Sequence, residues 1–306
     1  MLFLLYTGEI NHVIDQYNLR SQCYADDCQV HSSCLPDKKD ELIKSTFICI
    51  EGLSLWMASN RLKLNPDKTE FMWLTSRGRQ HLIDHSSIVG NVINIKPSST
   101  VRFLEDYVDE AMRFEAHRKC CVNMFFQLRL LKVIRNCIPL DTTKTLVNAF
   151  AVTRLDYCNS LLAGIPSCQL DRLQLVFNAT ARLGCRASRY DHITPLLRDE
   201  LHWFRCRERI TFKLCVTVYK SLHNEAPDYL QELSMPVNMN TRRSTLRSAS
   251  DGQLIPRTKT KAGERAFSVA GPLAWNSLPV TVRQLSSLSS FKRHLITYLF
   301  NASFPS

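Results

Sequence analysis

The apolar positions in the first hundred residues predict short elements separated by turns. Residues 2–20 favour a short helix followed by a loop. Two strand-like stretches, residues 21–25 and 28–34, surround the adjacent residues Asp26 and Asp27. This arrangement predicts a tight β-hairpin with both aspartates at its tip. Because aspartate favours turns in its own right, a solvated turn without chemical function explains the pair equally well.

A long helix and a second hairpin are predicted next. Residues 36–60 have helical periodicity. The predicted buried face consists of residues spaced four and three apart, namely Ile43, Phe47, Ile50, Ser54 and Met57. Residues 62–64 then alternate in polarity, residues 65–68 have the composition of a type I turn, and residues 69–74 form an aromatic-rich strand.

Beyond residue 110 the pattern is almost entirely helical. Helices are predicted over residues 115–136, 141–166, 167–184 and 207–227. The second of these is expected to bury one face, made of Leu146, Phe150, Thr153, Tyr157 and Leu161. Residues 235–265 are polar, basic and rich in serine and threonine, which predicts a flexible linker. The predicted domains are therefore residues 1–110, 111–234, 235–265 and 266–306, the last ending in a helix.

Charge is unevenly distributed along the chain, whose net charge is +11. Residues 1–110 contain 11 lysines and arginines against 15 acidic residues, whereas residues 111–306 contain 28 against 13. A basic region of this size favours a polyanionic partner, nucleic acid first and an acidic membrane surface second. A merely solvated basic surface is the simpler alternative.

Cysteine usage and hydropathy bear on the compartment. The 12 cysteines are scattered through apolar segments, which predicts reduced thiols in an intracellular protein of the nucleus or cytoplasm. Cys23, Cys28, His31 and Cys34 lie close together, but their spacing is not that of a structural zinc site. No apolar run approaches the ~18 residues needed to span a membrane. The opening residues MLFLLY are too short for a signal peptide. We therefore expect neither a membrane partner nor secretion.

The adjacent carboxylates of Asp26 and Asp27 need an explanation, because two close negative charges resist full ionisation. A divalent cation, a basic partner or open water would relieve the repulsion. Enzymes that join nucleotides use two divalent ions, about 3.5–4 Å apart, held by rigid carboxylates. Mg²⁺ suits such a site because it binds a few carboxylates together with phosphate oxygens and water.

The residues around this pair resemble a known family. The tetrapeptide Tyr24-Ala25-Asp26-Asp27 is similar to the Y-x-D-D motif of reverse transcriptases. Residues 56–74, WMASNRLKLNPDKTEFMWL, resemble the segment that follows this motif in LINE-type non-LTR retrotransposon reverse transcriptases. Further stretches resemble the tail of the same elements in the same order, namely LDYCNSLLAGIP, LQLVFNATARL, DHITPLLRDELHWFRCRERITFKL, APDYLQEL and AFSVAGPLAWNSLP. The resemblance covers nearly the whole chain.

The resemblance implies an RNA-directed DNA polymerase, a nucleotidyltransferase acting on an RNA template and a DNA primer with Mg²⁺. Asp26 would be the principal metal ligand, and Asp27 would assist it. Tyr24 and Ala25 would flank the primer end. Lys68 would contact the nucleotide or protonate the departing pyrophosphate, although a solvated turn lysine is an equally simple explanation.

The implied fold is α+β: residues 1–110 form a partial polymerase palm sheet with β-hairpins, and a mainly α-helical thumb-like region follows. The family also has a further catalytic aspartate on an earlier strand and a fingers subdomain, and neither can be assigned in this sequence. The family favours Leu-Gly where this chain has Leu104-Glu105. Because losing a principal ligand removes preorganised charge, we expect no useful polymerase activity from the isolated, truncated chain.

Two alternatives involve no catalysis. The basic helices could bind nucleic acid in a salt-dependent way. The candidate contacts are Arg129, Lys132, Arg135, Arg182 and Arg186, together with Arg189, Arg205, Arg207 and Arg209. A solvated helix face explains each of them as well. The chain could also be an unexpressed relic whose exposed sheet edge promotes aggregation.

Overall fold

The computed structural model describes residues 6–75, 77–83, 88–89, 94–104, 106–112, 117–237, 251–256 and 263–305. The chain divides into two compact units, residues 1–116 and 117–306. Its class is α+β, because helices dominate and the described strands form three separate two-stranded antiparallel sheets. The strands expected to share one sheet are therefore not joined into a continuous sheet within the described ranges.

The first unit has a small core beneath a hairpin. Helix α1 (Ile10–Asp15) is followed by strands β1 (Arg20–Tyr24) and β2 (Asp27–His31), and then by the long helix α2 (Lys39–Ser59). The core joins α1, the start of the hairpin and α2, and its buried residues are Ile10, Ile14, Leu19, Cys49 and Leu53. The structure confirms the first predicted hairpin and the long helix.

The predicted buried face of α2 is right for Met57, which packs against the core, but not for the residues at its centre. Cys49 and Leu53 are its buried residues, whereas Ile43, Phe47 and Ile50 are half-buried. This face also brings Gly52 against the ring of Tyr17, where a Cβ atom would overlap the phenol. The periodicity of large apolar residues does not reveal this close approach, because glycine has no side chain.

The second predicted hairpin is wrong. Helix α2 ends in a Schellman motif, in which Leu62 N donates to Met57 O at 2.7 Å and Arg61 N donates to Ala58 O at 3.1 Å. Leu62 therefore belongs to the helix terminus. A 3₁₀ turn follows at Pro66–Lys68. The segment predicted as the second strand of this hairpin bonds a later part of the chain instead, because Phe71 O accepts a hydrogen bond from Ser98 N at 2.8 Å.

Four short strands complete the first unit. Strands β3 (Ile88–Val89) and β4 (Asn94–Ile95) pair with each other, and β5 (Thr100–Phe103) pairs with β6 (Asp106–Asp109). Both pairs are antiparallel. The helical segment Pro36–Ser59 is long and apolar enough to cross a membrane, a property that core helices of soluble proteins share. The absence of a membrane partner stays a prediction.

The second unit is built from helices. In chain order these are α3 (His117–Ile134), α4 (Leu140–Val147), α5 (Thr153–Asp156), α6 (Ser167–Gly184), α7 (Ile193–Pro195), α8 (Cys206–Leu222), α9 (Asp228–Gln231), α10 (Phe267–Asn276), α11 (Val280–Arg283) and α12 (Leu288–Ser303). A π-helical segment, Asn148–Val152, joins α4 to α5. The prediction of a helix over residues 167–184 is confirmed at both ends.

The helix predicted over residues 141–166 is broken. It changes from α to π geometry at Asn148–Val152, and it ends at Tyr157, whose ψ is 124°. Cys158 then adopts a left-handed conformation with φ +51°. The predicted face fails accordingly, because Phe150, Tyr157 and Leu161 are exposed. The inserted π turn rotates later residues relative to the α-helical period, which buries Ala151 and Val152 instead.

One core spans three of the predicted domains. Tyr219 of α8 stacks on Phe291 of α12 at 4.4 Å between ring centroids, and Trp275 of α10 lies 5.6 Å from Phe291. Leu254, in the segment predicted as a linker, is buried in the same cluster. The separate domains predicted for residues 111–234, 235–265 and 266–306 are therefore replaced by a single unit. Residues 238–250 and 257–262 of the predicted linker lie outside the described residues.

Candidate metal site and nucleic-acid interface

The hairpin presents the Tyr24-Ala25-Asp26-Asp27 tetrapeptide at its turn. Tyr24 pairs with Asp27 as the last pair of the ladder, which leaves Ala25 and Asp26 as the two turn residues. Ala25 has φ +54°, a left-handed conformation suited to the first central position of a tight hairpin turn. All four residues are exposed. Both carboxylates therefore lie at a solvent-facing tip, Asp26 in the turn and Asp27 at the start of β2.

The base of the hairpin is anchored, although its tip is free. Val30 packs against the core of the first unit. The side chain of Asn11 on α1 accepts hydrogen bonds from Ser21 Oγ at 2.9 Å and from Cys23 Sγ at 3.3 Å. Cys23 faces Cys28 across the ladder, with their sulfur atoms 3.0 Å apart. These contacts fix the direction of the strands that lead into the turn.

Asp26 and Asp27 are the carboxylates that could hold Mg²⁺ here. In the described part of the chain, neither is ion-paired with a basic side chain, and no group of three or more His, Cys, Asp or Glu residues forms a metal site. Two exposed carboxylates fit a hard cation that keeps several waters or phosphate oxygens as its other ligands. The donor set thus suits a magnesium ion shared with a bound phosphate.

Lys68 lies in an exposed 3₁₀ turn. Asn65 holds this turn, since its Oδ1 accepts from Asp67 N at 3.1 Å and its backbone oxygen accepts from the Thr69 hydroxyl at 2.8 Å. No hydrogen bond or ion pair of the described residues joins Lys68 to either aspartate of the hairpin. The geometry of the turn therefore gives the Lys68 ammonium free access to solvent.

The basic candidates of the second unit differ in their surroundings. Arg129 and Lys132 are exposed on α3. Arg186 instead donates to the backbone oxygens of Arg135 and Ile138, just beyond the end of that helix. Arg182 Nη2 donates to Asp191 O at 3.2 Å. Arg182 and Arg186 thus already hold backbone groups, whereas Arg129 and Lys132 offer free charge.

Arg209 is one of the candidate contacts named from the sequence, but its pairing with Asp156 was not predicted. Its Nε donates to Asp156 Oδ1 at 2.7 Å, and its Nη2 donates to Asp156 Oδ2. The two residues are separated by 53 positions along the chain. The one local signal was the four-residue spacing of Arg209 and Lys213, which places both on one face of α8.

Comparisons with protein-family models, with curated proteins and with solved structures find no match to this chain.

Proposed function

We propose that this chain is a reverse-transcriptase-related protein of the non-LTR retrotransposon class that binds an RNA template and a DNA primer. The observation that carries the proposal is the hairpin turn, which presents Asp26 and Asp27 side by side to solvent. Polymerase chemistry needs neighbouring carboxylates that phosphates can reach, because they must hold metal ions against the reacting phosphates.

In this proposal the hairpin and the bound nucleic acid share one magnesium ion. Asp26 and Asp27 would supply two oxygens, and the phosphates of the bound nucleic acid would supply others. When bound, the ion polarises phosphate oxygens and lowers the charge repulsion between the tip and the nucleic acid. The two aspartates position the ion, and Tyr24 lies beside them at the end of β1.

Binding is expected to depend on salt and on Mg²⁺. A fluorescent primer–template is titrated with the full chain at two salt concentrations, with and without Mg²⁺. Affinity should fall steeply with salt, since lysine and arginine contacts to phosphate release counterions. Asp26→Asn should abolish the gain caused by Mg²⁺, whereas Asp37→Asn, an exposed carboxylate at another turn, should leave it. Salt-insensitive binding, or a Mg²⁺ effect that survives Asp26→Asn, would contradict the proposal.

Polymerisation by the chain alone is not part of the proposed role. Primer–template, deoxynucleotides and Mg²⁺ should give no extension, because the family relies on a further aspartate that no residue of this chain matches. Template-dependent extension that is lost in Asp26→Asn would overturn this expectation and assign full catalysis to the chain.

A further inference from the structure

A groove of about 730 Å³ opens in the second unit, between the π-helical segment Asn148–Val152 and helix α8. It is wide open to solvent, so it suits a ligand that stays partly exposed. Its lining mixes aromatic, basic, hydroxyl and amide groups, the main ones being Thr145, Asn148, Tyr157, Trp203, Arg209 and Lys213. π-helical turns occur often at functional sites, because the extra residue re-aims neighbouring side chains.

Arg209 is held rigidly in the wall of this groove. Asp156 accepts two of its N–H groups, and Asn159 Nδ2 donates to the same carboxylate at 3.3 Å. The guanidinium carbon lies 5.0 Å from the centre of the Phe177 ring. Because arginine has five N–H donors, three are left for a ligand, and their planar arrangement matches phosphate oxygens. The side chain is 17% exposed, and its contacts with Asp156 and Phe177 fix the plane of the guanidinium.

Lys213 supplies the uncompensated charge of the groove. It is exposed, it lines the groove one helical turn after Arg209, and within the described residues no carboxylate pairs with its ammonium group. Asp156 is the acidic residue of the lining, and Arg209 already neutralises it. The groove therefore favours an anion.

Trp203 adds an aromatic surface beside these donors. Its ring packs on Phe177 with 5.2 Å between centroids, and its backbone N–H donates to Leu197 O at 2.8 Å. The indole is half-buried and lines the groove, which makes it a fixed surface for stacking. Asn148, exposed at the start of the π segment, carries both a donor and an acceptor that can bond a base edge.

We infer that this groove binds one nucleotide of a single-stranded nucleic acid, with its phosphate on Arg209 and Lys213 and its base stacked on Trp203. Phosphate-binding cations next to an aromatic platform are the combination that single-strand binding uses. The choice of a polymer over a free nucleotide rests on the proposed function, whereas the nucleotide chemistry rests on the groove alone.

The first test measures the affinity of the full chain for a fluorescent single-stranded RNA. Lys213→Gln should weaken binding and reduce the slope of log affinity against log salt by about 1. Arg293→Gln is the matched control, because Arg293 is exposed on α12, does not line the groove and is not among the candidate contacts. Equal effects of the two variants would overturn the inference.

The second test examines stacking and location. Trp203→Leu should weaken binding about tenfold, whereas Trp203→Phe should retain most of the affinity because it keeps an aromatic ring. RNA containing 4-thiouridine, irradiated on the full chain, should cross-link to the peptide that contains Trp203. If RNA binds but cross-links only to other peptides, the inference that it binds in the groove is overturned and the proposed function stands.

A titration with adenosine 5′-monophosphate separates polymer from nucleotide. Suppose that the chain binds the mononucleotide but not RNA, and that Lys213→Gln abolishes this binding. That result would overturn the choice of a polymeric ligand and the proposed function, but it would keep the nucleotide chemistry of the groove. If Mg²⁺ has no effect but RNA binding still depends on Lys213, the hairpin site fails and the groove stands. The failure of one site is therefore distinguishable from the failure of the other.

Discussion

Replacing Phe291 by alanine tests whether α8, α10 and α12 share one core. The ring is fully buried between Tyr219 and Trp275. Truncating a buried phenylalanine to alanine costs about 3–5 kcal/mol. Each aromatic pair contributes about 0.5–1.5 kcal/mol beyond burial, so the expected cost lies in the upper half of that range. A loss of about 4 kcal/mol lowers the ratio of folded to unfolded protein nearly a thousandfold.

Urea denaturation measures the loss of stability, and hydrogen exchange, resolved for α8 and α12, locates it. Amides of both helices should lose protection together. Leu273→Ala on α10 is the control, because Leu273 is 54% exposed and its truncation should change the free energy of unfolding by less than about 0.5 kcal/mol. Phe291→Leu gives a milder variant if the alanine variant does not fold. Unchanged protection of α8, with α12 weakened, would refute the shared core.

Three further predictions concern the backbone, pH and thiol chemistry. Arg61 has φ +57° at the end of α2, so Arg61→Gly should relieve strain and stabilise the first unit by roughly 0.5 kcal/mol; a lower urea midpoint would contradict this. Burial raises the pKa of Cys215 from 9.0 to about 12, so the unfolded chain ionises first and stability falls as pH rises above about 9. Cys215→Ala should flatten this decline, and equal slopes would count against it. Diamide should oxidise the neighbouring thiols of Cys23 and Cys28 to a disulfide with the loss of two hydrogens, seen by mass spectrometry; bonds formed only between molecules would rule the pairing out.

Local patterns determined much of the secondary structure. Helix α6 begins at Ser167 after Pro166 and ends at Gly184, as its periodicity predicted. The first hairpin also follows from local sequence, because turn-forming residues separate two short strand-like stretches. The resemblance quoted for the tetrapeptide at its turn stays a prediction about descent, and the exposed position of the two aspartates is compatible with it.

Contacts between residues that are distant in sequence determined the features that local patterns did not predict. The buried face of α2 includes Gly52, which lies against Tyr17, 35 positions earlier in the sequence. The break near residue 157 follows no signal in the apolar spacing, since packing of Ala151 and Val152 competes there with the helical period. The predicted linker is partly ordered because Trp275 Nε1 donates to Gly252 O at 2.9 Å.

The same division applies to the candidate sites. The hairpin carboxylates are neighbours in sequence, so periodicity and turn propensity were enough to place them together at a tip. Asp156, Trp203 and Arg209 come from separate elements, and their meeting depends on how α5 and α8 pack. Local backbone preferences act over a few residues, whereas burial and ion pairing act through space. Sequence alone therefore placed the two aspartates together, and only the folded chain brought Arg209 to Asp156 and Trp203.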